Sequence, residues 1–281
     1  MILKKKDITF SKINWNNKAD NILAISKHLN LGLNSFVFWD DNAMERNIVK
    51  KNLPQVEVVN VPDDVSIWPN MLTNYYSLQK FNITKDDLNK RKQYEQMSNF
   101  KIKKFEAYDE IKYLKSIKLK PKLYKINSSN ISRAEQLCMK TNQFNLRNKR
   151  LTQSDIIRLN KNKNYSIFIV GLSDIFGDHG LVGLLIIKKI HKEIYFIENF
   201  LMSCRVFGRN LESWMLSKII EIVKKNNCQY IVTEYIKTTR NQISLNFLKK
   251  NDFSSKNSKN INFNLIKKNF DIKNFFVFDI K

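Results

Sequence analysis

Two stretches of the chain hold residues whose types and spacing could do chemistry. In the first, Ser35-Phe36-Val37-Phe38-Trp39 is an apolar, aromatic and β-branched run, the pattern of a short strand buried on both faces. Two adjacent acids, Asp40 and Asp41, follow it, and Asn42 then opens a helix as its N-cap. Ligands of open α/β sheets sit outside the carboxyl ends of the strands, and two carboxylates there suit a hard cation such as Mg²⁺ beside phosphate. A solvated acidic turn that only caps the helix is the alternative. In the second stretch, Ser203-Cys204-Arg205-Val206-Phe207-Gly208-Arg209-Asn210 joins a strand to an amphipathic helix that starts at Leu211. The N–H groups and dipole at a helix N-terminus favour anions, Gly208 lets a backbone approach closely, and Arg205 and Arg209 can contact phosphates. The pyrophosphate of coenzyme A, or the phosphate of a phosphopantetheine arm, fits that chemistry. An ordinary tight turn with two surface arginines is the alternative.

The elements that must position these residues begin with an αβαβ rhythm. A helical pattern runs from Ala19 to Leu29, with Gly32 as its stop. The strand at 35–39 follows, then a helix from Asn42 to Asn52 closed by Leu53-Pro54, then a β-branched strand from Val56 to Val61. That order belongs to a parallel sheet. From 84 to about 118 the chain is charged, helix-forming and free of Gly and Pro, which makes it a helical connector. The remainder reads as strand 122–127, helices 130–141 and 152–160, strands 165–172, 181–189 and 193–201, helix 209–225, strand 229–236, helix 240–250 and strands near 262–267 and 274–280. The expected fold class is therefore α/β. A partial Rossmann-like sheet occupies residues 1–83, a connector 84–120, and a mixed α+β domain 121–281.

At 281 residues the chain is long enough for one large or two ordinary domains, and 43% hydrophobic residues supply their cores. Lys and Arg number 49 against 26 Asp and Glu, a net charge of +23. The charge is mostly Lys spread along the whole chain, not Arg and aromatics gathered on one face, which argues against specific nucleic-acid binding. It still favours an acidic or phosphorylated partner. No window of 18 apolar residues is free of charge, so no membrane insertion is expected. Cys138, Cys204 and Cys228 are scattered, without metal-site spacing, and a cytoplasmic location is expected.

Five segments, INWNNKADNI, LNLGLNSFVFWDDNAMER, KTNQFNLRNKRLTQSDI, GLSDIFGDHGLVG and FLMSCRVFGRNLESW, occur in one order between Ile13 and Phe253. Together they resemble the FkbH-like family of glyceryl-transfer proteins. Its members join a haloacid-dehalogenase (HAD) type phosphatase domain to an acetyltransferase-like (GNAT) domain. The resemblance implies that Lys18 is a phosphate-balancing lysine and that Asp40 and Asp41 form an acidic magnesium motif. It implies an acyl-CoA or pantetheine loop at Arg205, Val206, Phe207, Gly208, Arg209 and Asn210, with Asn241 opening the closing helix beside it. Asn210 stands where the family's loop has Gly or Ala, and Leu248 where many acetyltransferases have a tyrosine acid. The phosphatase motif D-x-D-x-[TV], whose first Asp is the nucleophile, is absent from the sequence. The chain therefore resembles an N-terminally truncated member, inactive alone as a phosphatase, with a separate upstream chain as a source of the missing part. In the intact family a small acyl phosphate of glycolytic type loses phosphate and its glyceryl group passes to an acyl-carrier-protein thiol. The alternatives are an N-acyltransferase that uses acyl-CoA, and a non-catalytic docking module for an acyl carrier protein. Cys204, at a strand end, reads as a core residue or as a functional thiol.

Overall fold

A computed structural model describes residues 7–79, 85–254 and 274–280, together with Lys4 and Ile83. The strand expected near 262–267 lies outside these residues. The chain divides into two units, residues 1–105 and 106–281, so the expected connector is shared between them. No helix among the described residues is long and apolar enough to cross a membrane.

In the first unit, helix α1 (Lys18–Leu29) is capped by the Asn17 side chain, which accepts from the Asp20 N–H. It ends on Asn30 in the left-handed region at φ 54°, not on Gly32. Asn tolerates that conformation, so the stop comes two residues early. Strand β1 (Val37–Phe38), helix α2 (Ala43–Asn52) and strand β2 (Glu57–Val58) form one crossover unit. The two strands are parallel, with Val37 opposite Glu57 and Phe38 opposite Val58. Parallel neighbours need a crossover of this length, which α2 supplies. The expected Rossmann-like sheet thus consists of two short strands among the described residues. Ala19, Ile22, Val49, Leu53 and Val56 form the small core between α1, α2 and β2. Helices α3 (Trp68–Asn74), α4 (Lys85–Leu88) and α5 (Lys90–Glu106) follow.

The second unit opens with helix α6 (Glu110–Ser116) and is built on a mixed sheet with seven strands among the described residues. Its strands are β3 (Lys120–Lys125), β4 (Phe144–Asn145), β5 (Tyr165–Asp174), β6 (Gly177–His191), β7 (Ile194–Met202), β8 (Tyr230–Glu234) and β9 (Phe275–Asp279). The order is β3-β5-β6-β7-β8-β9, with β4 added to β7. Among the described strands of this sheet only the β7–β8 pair is parallel, because helix α9 (Leu211–Lys225) carries the chain across between them. Helix α9 buries Leu211, Met215, Ile219 and Val223 at four-residue spacing, one apolar stripe. Together with Phe247 and Leu248 of helix α10 (Gln242–Lys250) it covers one sheet face. Helices α7 (Ile131–Lys140) and α8 (Gln153–Lys161) cover the other through Ala134, Leu137 and Ile156. Each of these Leu, Ile, Val, Met and Phe side chains contributes roughly 1.5–3 kcal/mol by leaving water. Gly183 of β6 lets α9 come close, since a Cβ there would lie 3.0 Å from the Met215 methyl.

Candidate functional site

Strand β7 positions the site. From Ile194 to Ile197 it pairs with β8, ending at Ile197 opposite Thr233. Farther on, Leu201 and Met202 pair on the same edge with Asn145 and Phe144 of β4. The Leu146 N–H extends this pairing to the Phe200 carbonyl at 3.4 Å. On the other edge, Ile187 faces Ile197 while Ile186 faces Asn199, so Glu198 is the extra residue of a β-bulge. Bulges re-aim side chains and part neighbouring strands, and they concentrate near active sites. Here the bulge falls where β7 and β8 separate.

Four charges meet at that point. The Arg147 guanidinium lies 2.8 Å from Glu198 Oε1 and 2.9 Å from Glu234 Oε2, and it stacks 5.0 Å above the Phe196 ring. Lys149 Nζ donates to the same Glu198 Oε1. Arg147, Glu198 and Glu234 are buried, whereas the Lys149 side chain is 43% exposed. Glu198 Oε2 and the neighbouring Asn199 Oδ1 are buried and have no hydrogen-bond partner among the described residues. Buried polar atoms are normally bonded, so two adjacent idle acceptors call for a donor.

Five residues beyond Glu198, β7 gives way to the loop. Gly208 has φ 80° and Asn210 has φ 58°, and α9 starts immediately afterwards. Asn210 is exposed and makes no side-chain cap bond, so its side chain does not cover the first-turn N–H groups of α9. The loop is anchored from beneath. Arg209 Nε lies 2.8 Å from Asp174 Oδ2, and both side chains are fully buried. His179 Nε2 sits 2.9 Å from the other oxygen of Asp174. Burial pushes the Asp174 carboxyl up, but the bonds from His179 and Arg209 outweigh it and hold the group below its ordinary value. Burial lowers the Arg209 pKa from its usual value.

Several expected roles change with this geometry. Arg209 is no surface phosphate contact, because its guanidinium is committed to Asp174 inside the protein. Arg205 is also buried, with its Nε donating to Ser203 Oγ at 3.2 Å. Val206 is core and Phe207 packs on Phe144, their rings 6.3 Å apart. Gly208 is half-buried and Asn210 is exposed. Asn241 is fully buried, and its amide serves the fold. It donates to the carbonyls of Asn145 at 3.0 Å and Ile236 at 2.8 Å, and accepts from Tyr235 Oη and the Thr238 N–H. Leu248 is core.

In the first unit, Lys18 Nζ and Asp40 Oδ2 do come together, at 3.5 Å. Asp40 Oδ1 accepts from the Asn42 N–H, and Arg46 Nη1 bonds the main-chain carbonyls of both Asp40 and Asp41. Asp41 is exposed. These residues do not fit the expected Mg²⁺. Both Asp40 oxygens and both carbonyls are engaged, Lys18 already pairs with Asp40, and the described residues hold no cluster of three metal-type side chains.

Glu198 and Lys149 were not singled out from the sequence. A Glu-Asn pair inside the apolar run IYFIENFLM is the signal that could have found the first, since a lone carboxylate in a buried strand must have a partner.

No protein-family model matches the chain, and no curated protein sequence does either. Among solved structures it is similar to a GNAT-family acetyltransferase from Staphylococcus aureus Mu50, with 11% identity, TM-score 0.44, 58% of this chain and 100% of that one covered. It is also similar to Rv2747 from Mycobacterium tuberculosis in complex with CoA and NLQ, with 10% identity, TM-score 0.40, and 52% and 80% covered. The N-terminal part of BF1531 from Bacteroides fragilis, containing a phosphatase domain complexed with Mg, is 40% identical over 30% of this chain, with TM-score 0.28. That match spans 22% of the Bacteroides chain.

Proposed function

We propose that the second unit is an acyltransferase whose donor is an acyl thioester on a pantetheine arm, carried either by coenzyme A or by an acyl carrier protein. The observation that carries this reading is the layout along β7. A turn built for an anion, Gly208 and Asn210 at the start of the 15-residue helix α9, stands at one end. The parting of β7 from β8 at Glu198 stands at the other. Four residues at about 3.3 Å each carry β7 from the bulge at Glu198 to its end at Met202, about 13 Å, on the scale of an extended pantetheine arm. A phosphate at the turn would thus deliver the thioester to the bulge. There Glu198 can take a proton from an attacking nucleophile, and its idle oxygen is the acceptor for it.

The edge of β7 over Phe200 to Met202 is already paired with the segment from Phe144 to Leu146. The arm therefore follows that segment from Phe144 toward Lys149 instead of adding a strand to β7. The net charge of +23 favours an acidic carrier protein as bearer of the arm. Glyceryl transfer of the FkbH-like kind is a second reading, favoured by the Lys18–Asp40 pair at a strand end. It uses the same arm.

Calorimetric titration of coenzyme A tests the site. Wild type is expected to bind, and Gly208→Val to bind at least about tenfold more weakly, because a β-branched residue at φ 80° costs more than about 1.4 kcal/mol in this loop. Equal affinity of the two proteins would remove the turn from the site, and wild type that binds neither coenzyme A nor a phosphopantetheine-loaded carrier protein would remove the reading.

A further inference from the structure

The charge cluster at the bulge holds a nucleophile of its own. Lys149 reaches in from the surface, and its Nζ donates to Glu198 Oε1. It stands on the segment that the arm must follow, four residues after β4. A closed structural network would bond both oxygens of a buried carboxylate, yet Glu198 Oε2 has no hydrogen-bond partner among the described residues. Arg147 fixes the two glutamates from inside, and the half-exposed Lys149 is the member of the cluster that can move.

We propose that Lys149 is an acyl acceptor: the thioester brought to the bulge acylates its Nζ, with Glu198 as proton acceptor. This inference rests on the acyl-thioester reading above. One ammonium proton passes to the Glu198 carboxylate. The amine then attacks the thioester carbonyl, the C–N bond forms and the C–S bond breaks. The second nitrogen proton goes to the departing thiolate, and Glu198 returns its proton to water. The products are an amide on Lys149 and a free thiol. Acylation removes the lysine's positive charge, leaving Glu198 and Glu234 with Arg147 as their remaining cation in the cluster. The modification would therefore alter the electrostatics of the site that makes it.

Peptide mapping by mass spectrometry, after incubation of the full chain with acetyl-CoA, tests the proposal. The other lysines are internal controls for uncatalysed acetylation. Lys149 is expected to be acetylated faster than exposed lysines such as Lys163 by on the order of tenfold or more, the gain expected of a positioned nucleophile. Glu198→Gln should slow that step by about a hundredfold, the low end for loss of a general base. Should Glu198→Gln fail to fold, Lys149→Arg, a surface change that keeps the charge, serves instead. It should abolish the fast phase without transferring it to another lysine. Acetylation of Lys149 at the rate of Lys163, in wild type that binds coenzyme A by calorimetry, would overturn the inference and leave the reading standing. Wild type that binds neither coenzyme A nor a phosphopantetheine-loaded carrier protein would overturn both.

Discussion

Asp174 does at the residue scale what its place in the sequence does not announce. It lies at the end of β5, 35 residues from Arg209, yet it supplies the carboxylate that holds the loop arginine inside the protein. Its pKa is depressed, so the stability it contributes is fully present above its ordinary value of 3.8 and is lost as pH falls through the folded value. Asp174→Asn leaves a buried guanidinium without its charge partner and is expected to cost about 3–5 kcal/mol near neutral pH. Thermal melts of both proteins between neutral pH and about pH 2.5 should show the gap narrowing as acid protonates the wild-type carboxyl. A gap that is constant with pH would mean that the pair contributes no charge-dependent stability.

The segment from Phe144 to Lys149 matters most at the scale of elements. Phe144 packs on Phe200, Phe207 and Phe247, and Asn241 ties the backbone of the segment to the end of β8. Replacing Asn241 by Ala leaves buried carbonyls of Asn145 and Ile236 short of a donor, at about 1–3 kcal/mol. If the segment guides the arm, Asn241→Ala should also raise the Kd for coenzyme A, although the residue touches no ligand. Urea unfolding and calorimetry on the same variant separate the two effects. Unchanged affinity in a destabilised variant would remove the segment from the ligand's path.

Most of this architecture was legible in the sequence. The long strands β5, β6 and β7 and the helices α7 to α10 carry enough periodic apolar residues to be read within a few positions. The two-residue strand β4 carries no period at all. Its place is set by contacts with residues some 55 positions away in β7, so no local pattern could show it. In sequence the loop reads as an anion site with surface arginines, because the carboxylate that buries Arg209 is remote and the Arg205–Ser203 bond follows no motif. Glu198 was passed over for a related reason, since Arg147 and Glu234 reach it from other elements. In the first unit Lys18, Asp40 and Asp41 stand out in the sequence, but the Lys18–Asp40 ion pair and the bonds from Arg46 to the two carbonyls do not.

On the scale of the whole molecule, the two units differ in how completely they are built. The second has a continuous sheet with apolar cores on both faces. The first has two short parallel strands among the described residues and leaves Ile13, Trp15, Met44 and Tyr76 exposed. Parallel strands usually belong to larger sheets covered on both faces, and two strands alone are marginal. Amides of residues 7–79 should therefore exchange faster than those of residues 165–234. The same experiment, repeated with and without saturating coenzyme A, tests the central claim most directly. The account predicts slowed exchange in two stretches of the second unit, Gly208 to Trp214 at the start of α9 and Glu198 to Ser203 along β7, with the first unit unchanged. Slowed exchange confined to the first unit, or none in either β7 or α9, would contradict it.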